Sequence, residues 1–184
     1  MKFTPQSILD IVLIEPSIHG DFRGYFAEIF RQDLLEDALG YKVIFVQDNE
    51  SKSTKGIIRG LHYQLPPYSQ SKLVRVSEGK VLDIAVDIRK SSSTFGQHVA
   101  VELSAENMNQ LFVPHGFAHG FVVLSETAKI NYKVDNIYVP EYDRGIAFDD
   151  PKLDIDWRLP RDKLQLSNKD KLHPYLDASI ELFD

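Results

Sequence analysis

The chemistry open to this chain rests on two histidine segments and a small set of cations and carboxylates. In the run Ile57-Ile58-Arg59-Gly60-Leu61-His62-Tyr63-Gln64, a guanidinium and an imidazole stand three residues apart. An imidazole changes charge near neutral pH, which suits it to take and return protons. Strict strand alternation would send Arg59 and His62 to opposite faces. A shared cavity therefore requires a bulge or twist, and Gly60 is the residue that allows one. A single histidine in such a run serves structure more often than catalysis, and the spacing alone leaves both roles open.

A second run, Pro114-His115-Gly116-Phe117-Ala118-His119-Gly120-Phe121, turns the chain on Pro and Gly and delivers His119 to the start of an apolar strand over 121–124. A metal site built on a His-x-His pair lacks its second imidazole, because Tyr63 and Gln64 follow His62. A catalytic metal typically needs about three protein ligands, so neither a metal nor another cofactor is expected. The absence of cysteine removes disulfides, thiolate zinc sites and a cysteine nucleophile together.

Other polar groups lie within strand-like segments. Tyr132 shares a face with Ile130 and Val134, so its ring points to an apolar interior where the hydroxyl needs either a protein partner or a ligand. Lys72 opens a strand over 72–76 after the loop 66–71, and by itself reads as a solvated strand-end lysine. Arg23, Phe26 and Glu28 fall in Asp21-Phe22-Arg23-Gly24-Tyr25-Phe26-Ala27-Glu28. Gln47 and Asn49 share strand parity, and amides on one face can read a nucleobase edge, although Asn49 suits a turn equally well.

Short apolar runs cut by Gly, Pro, Asn and Ser predict an all-β sandwich or barrel. Over 81–88, Leu82, Ile84, Val86 and Ile88 alternate with Val81, Asp83, Ala85 and Asp87, which is a strand pattern. Val99, Val101 and Leu103 repeat it, as do Ile130, Tyr132 and Val134. Helix is predicted over 32–39, where Leu34, Leu35, Ala38 and Leu39 form a stripe and Gly40 can close the last turn. Beyond Trp157 the periodicity fades, which predicts an extended C-terminal segment draped over the sandwich in a single domain, 1–184.

The 184 residues carry 27 acidic and 21 basic side chains, a formal charge of −6, with 43% hydrophobic residues. Such a chain can bury enough apolar surface to order itself. Its mild acidity speaks against nucleic acid as a partner, which favours basic stripes. No stretch approaches the roughly 20 apolar residues of a membrane span, and the N-terminus has no signal-peptide core, so a cytoplasmic protein without membrane contact is expected. A few local Arg and Lys can still hold a small anion against that average.

Taken together, the segments resemble the dTDP-4-dehydrorhamnose 3,5-epimerase family of the cupin superfamily. The matching motifs are Asp21-Phe22-Arg23-Gly24 with Phe26 and Glu28, Val46-Gln47-Asp48-Asn49, Ile58-Arg59-Gly60-Leu61-His62-Tyr63-Gln64, Lys72-Leu73-Val74-Arg75, Val86-Asp87-Ile88-Arg89, Gly116-Phe117-Ala118-His119-Gly120-Phe121, Asn131-Tyr132-Lys133 and Ser167-Asn168-Lys169-Asp170. They run in order from about residue 20 to 170. Two positions depart from the family pattern: Ser71 replaces the usual glycine before Lys72, and Asp143 replaces a glutamate, keeping the charge on a side chain one methylene shorter.

The resemblance implies a cupin-type jelly roll with a few short helices and a homodimer that exchanges an N-terminal strand. The implied reaction, which uses no metal, converts dTDP-4-dehydro-6-deoxy-D-glucose to dTDP-4-dehydro-L-rhamnose and so supplies L-rhamnose for cell-surface polysaccharide. His62 is then the base, with Asp170 orienting it and Asp83 a weaker candidate for that task. Tyr132 is the acid and Lys72 the partner of the enolate oxygen. Arg23, Arg59, His119, Asp143 and Lys169 hold the sugar nucleotide, Glu28, Gln47 and Asn49 add contacts, and Phe26 offers a thymine-stacking surface. An epimerase acting at C3 or C5 alone and a non-catalytic sugar-nucleotide-binding jelly roll are the rival readings.

Overall fold

The computed structural model describes residues 1–177 and 180–184. Its strands are β1 (Lys2–Pro5), β2 (Val12–Glu15), β3 (Ile18–Asp21), β4 (Gly24–Ala27), β5 (Gln47–Thr54), β6 (Ile58–Gln64), β7 (Lys72–Glu78), β8 (Lys80–Asp87), β9 (His98–Ser104), β10 (Gln110–Val113), β11 (Phe117–Val123), β12 (Thr127–Val134) and β13 (Asp143–Gly145). A six-stranded sheet runs β1-β2-β10-β7-β12-β5, a five-stranded sheet runs β13-β6-β11-β8-β9, and β3 and β4 form a two-stranded sheet. This is the all-β sandwich that the strand patterns predicted and the jelly roll that the resemblance implied.

Alternation along each strand decides what fills the space between the sheets. Val74 and Val76 of β7 and Ala128 and Ile130 of β12 meet Val81 and Ala85 of β8 and Phe117, Phe121 and Val123 of β11 in one apolar cluster. The opposite faces are covered too. Leu82, Ile84 and Val86 of β8 pack outward with Ile58 and Leu61 of β6 against Leu153, Trp157 and Leu176 of the C-terminal segment. The six-stranded sheet buries Leu73, Phe112 and Ile14 against Leu35 of α1 (Gln32–Leu39). That helix has the predicted bounds, and Gly40 ends it in the left-handed conformation at φ 76°.

Helix α1 and the C-terminal segment pack on the outer faces, while Lys72 of β7, Asp83 of β8 and His119 of β11 are buried and lie together at one end of the inter-sheet space. No helix among the described residues is long and apolar enough to cross a membrane.

Candidate active site

At that end lies a cavity of about 630 Å³ whose lining includes Arg59, His62, Lys72, His119, Tyr132, Asp143, Lys169 and Asp170. The two sheets contribute different groups. Arg59 and His62 come from β6, His119 from β11 and Asp143 from β13, all in the five-stranded sheet. Lys72 and Tyr132 come from β7 and β12 of the six-stranded sheet, and the C-terminal segment adds Lys169 and Asp170.

Arg59 and His62 share the cavity because β6 is bulged. His62 pairs with His119, whereas Arg59 pairs with Phe121, so three steps along β6 match two along β11. Gly60 sits at the bulge with φ 139°, and a Cβ there would lie 2.5 Å from the Gly120 backbone. Only glycine suits both the backbone angle and the close approach. The irregularity required by the sequence pattern is therefore present where the pattern placed it.

His62 Nε2 donates to Asp170 Oδ1 at 2.8 Å, which leaves the imidazole lone pair on Nδ1. Asp170 heads the short 3-10 turn Asp170–Leu172, and its own backbone N–H donates to the Ser167 hydroxyl at 3.1 Å. Burial pushes the Asp170 carboxyl up, but the hydrogen bond and charge of His62, the charge of His173 and the Ser167 hydroxyl together hold it below the usual carboxylate range. It is a carboxylate at neutral pH, able to stabilise a protonated His62.

Lys72 corrects the expectation of a solvated strand end. Only 8% of it is exposed, because β7 is an interior strand, paired at this residue with Val113 on one side and Val134 on the other. Sharing a face with Val74 and Val76, it points between the sheets, and its Nζ donates to the His62 carbonyl at 3.4 Å. Burial pushes its ammonium down to about 8, while Asp143 and Asp83 pull it back up. Tyr132 packs against the inter-sheet core and also lines the cavity, so it fills both roles left open by its sequence position. Burial pushes its phenol up, the Arg59 charge draws it down and Asp143 pushes it up again, which keeps the hydroxyl protonated and able to donate.

Asp83 serves His119 and not His62: the His119 ring nitrogen Nε2 donates to both Asp83 oxygens, at 2.9 and 3.0 Å, in a buried pair. Arg59 is steadied by a bond from its Nε to the Ser53 hydroxyl at 3.0 Å. Asp143 accepts from the Tyr138 hydroxyl at 3.0 Å and forms an ion pair with Lys169. Tyr138 lines the cavity and was not singled out from the sequence, since nothing local marks a tyrosine five residues before an aspartate. His173 also escaped notice. Its ring stands edge-on to His62, with centroids 5.4 Å apart.

The remaining candidates lie away from the cavity of their own chain. Arg23 is exposed and folds back on Asp21, Phe26 is exposed on the β3–β4 hairpin, and Glu28 pairs with Arg31. Gln47 and Asn49 lie on β5 opposite Val134 and Tyr132 and bond to each other, Gln47 Nε2 donating to Asn49 Oδ1 at 2.8 Å.

His62 and Tyr132, on opposing sheets, and the buried Lys72 line one cavity. A family model for dTDP-4-dehydrorhamnose 3,5-epimerase matches residues 5–178. The dTDP-4-dehydrorhamnose 3,5-epimerase of Shigella flexneri is 54% identical over 170 residues, covering 92% of this chain and 93% of that one. Its counterpart in Escherichia coli (strain K12) is 51% identical over 183 residues, covering 99% and 98%. Among solved structures, the dTDP-6-deoxy-D-glucose-3,5-epimerase of Legionella pneumophila Philadelphia 1, in complex with dTDP-4-keto-L-rhamnose, superposes with a TM-score of 0.93 at 47% identity, covering 97% of this chain and 94% of that one. With a family model matching residues 5–178 and relatives 54% and 51% identical over 92% and 99% of its length, this chain belongs to the dTDP-4-dehydrorhamnose 3,5-epimerase family.

Proposed function

We propose that the chain, acting in the cytoplasm as one domain over 1–184, converts dTDP-4-dehydro-6-deoxy-D-glucose to dTDP-4-dehydro-L-rhamnose. The observation that carries this reading is the placement of His62 and Tyr132 on opposite sheets around one cavity that also holds the buried Lys72. Inverting a carbon beside a ketone needs a base on one face, a proton donor on the other and a stabiliser for the enolate between them. The C4 ketone acidifies the hydrogens on C3 and C5. His62 Nδ1 takes one of them, the C–H electron pair moves into the enolate, and the negative oxygen is met by the Lys72 ammonium. Tyr132 then gives its hydroxyl proton to the opposite face of the same carbon. Each inversion leaves an imidazolium beside Asp170 and a phenolate, and both reset by proton exchange with water.

Arg59, His119 and Lys169 supply the positive charge and hydrogen-bond donors for a nucleoside diphosphate, Arg59 through the planar fork that suits phosphate oxygens. Asp143 holds Lys169 in place at the mouth of the site. Reaction in heavy water tests the proposal directly. Deuterium is expected at both C3 and C5 of the product. Incorporation at one carbon alone means a single-centre epimerase, and none at either means a binding protein.

The functional unit in this proposal is a homodimer. Among the described residues the β3–β4 hairpin pairs only with itself, and it exposes 97% of Phe22 and 68% of Phe26. An isolated two-stranded hairpin with bare aromatic rings is marginal in water. Seated on a second copy, the hairpin covers those rings and brings Arg23 of the partner subunit and Phe26 of the partner subunit to a site that lacks both. The edge strand β1 is the other N-terminal segment open to exchange. Sedimentation at twice the chain mass is expected at micromolar concentration, together with partial dissociation on Phe26→Asp. A wild-type monomer would overturn this assembly.

A further inference from the structure

Beside His62 and Asp170 sits a second imidazole whose ring nitrogens accept or donate no hydrogen bond among the described residues. His173 is held against Gly145, where a Cβ would lie only 2.2 Å from its ring, and edge-on to His62. Both of its ring nitrogens are buried and have no hydrogen-bond partner among the described residues. Such a group loses its water without compensation, a cost on the order of 1–3 kcal/mol. Burial and the neighbouring His62 push its ionisation down, while the Asp170 carboxylate pulls it up. The ligand atoms of His62, Asp170 and His173 all lie within 4.8 Å of one another.

We propose that His62, Asp170 and His173 form a binding site for a divalent transition ion of the zinc class, and that its occupation switches the catalytic base off. Two imidazoles and a carboxylate are ligands that such ions prefer over magnesium or calcium. Tetrahedral zinc places its ligand atoms roughly 3.3 Å apart, so closing this cluster on an ion takes shifts on the order of an ångström. Asp170 supplies the negative charge, and the fourth position is left for water from the cavity.

Inhibition follows from the proton positions. His62 Nε2 now gives its hydrogen to Asp170. An ion bound at Nε2 takes that place, the hydrogen of the neutral ring moves to Nδ1, and the lone pair that would accept the sugar proton is gone. The ion is thus an off-switch and not a cofactor. The binding claim goes beyond the proposed reaction, and only the inhibition rests on it.

The full chain, freed of metal by chelator, is titrated with Co²⁺ alone and followed by visible absorption, with Zn²⁺ as competitor. Bands saturating near one equivalent are expected, and epimerase turnover is expected to fall over the same range of Zn²⁺ but not with Mg²⁺. His173→Phe keeps a ring against Gly145 and His173→Asn keeps polarity without the ring. Each should raise the midpoints for cobalt binding and zinc inhibition by about tenfold or more. Wild-type protein without cobalt bands, or midpoints unmoved in both variants, overturns the site. His173-dependent bands in a chain that lacks turnover after chelation would count against the proposed reaction and leave the ion site standing.

Discussion

His62→Asn is expected to lower turnover by about a hundred- to ten-thousand-fold, the range typical of a lost general base. Nucleotide affinity should stay within about twofold, a change of under 0.5 kcal/mol. Asparagine keeps a donor for Asp170 but offers no nitrogen that can accept a proton from carbon. The groups proposed to hold phosphate are elsewhere: Arg59 is held by Ser53 and Lys169 by Asp143, and neither bond involves His62. Steady-state turnover beside calorimetric titration with dTDP separates the two effects. Unimpaired turnover in the purified variant would remove His62 from its role as base, and an equal loss of dTDP affinity would make it a binding residue.

Lys72→Met should lose activity and gain stability. In the proposed mechanism activity falls because the ammonium meets charge that exists only on the enolate, and a single donor of that kind is worth about a hundred- to a thousandfold in rate. Stability rises because the folded chain carries a buried ammonium pushed from 10.5 down to about 8, which corresponds to up to about 3 kcal/mol of cost at neutral pH. Methionine fills similar space without the charge. The pH dependence has a definite sign. Between about pH 8 and 10.5 the unfolded chain holds more protons at this lysine than the folded one, so wild-type stability rises through that window. Below pH 8 the cost is fully present. The advantage of Lys72→Met in urea denaturation should therefore be largest at pH 7 and shrink as pH climbs, while wild-type turnover declines above about pH 8 as the ammonium is lost. A variant less stable than wild type at pH 7 would mean that the lysine is stabilised by contacts outweighing its burial.

These two residues also mark how far the sequence could be read. His62 announces itself by type, and its neighbours Arg59 and Gly60 already pose the question of a bulge. Lys72 does not, because its burial depends on β10 and β12 flanking β7, and both are remote in sequence. The assignment of carboxylates to histidines shows the same division. Asp170 meets His62 across 108 residues and Asp83 meets His119 across 36. Only the motif resemblance pointed to the first pair, and nothing local pointed to the second.

Helix α1 and strands such as β8 were legible because their causes are local: a stripe of leucines closed by Gly40, or apolar residues at every second place, acts between neighbours a few residues apart. The residue types also restricted the chemistry to imidazole, phenol, ammonium and carboxylate, since no thiol is available. Sheet order decided the rest. By setting β6 and β11 in one sheet and β7 and β12 in the other, and by covering both outer faces, the fold turned separately unremarkable side chains toward one another and took Lys72 out of water. It likewise left Phe22 and Phe26 bare on a hairpin and, among the described residues, the His173 ring nitrogens without a hydrogen-bond partner beside His62. Periodicity sets which side of a strand a residue occupies, but not what lies across from it, because that depends on contacts between segments far apart along the chain.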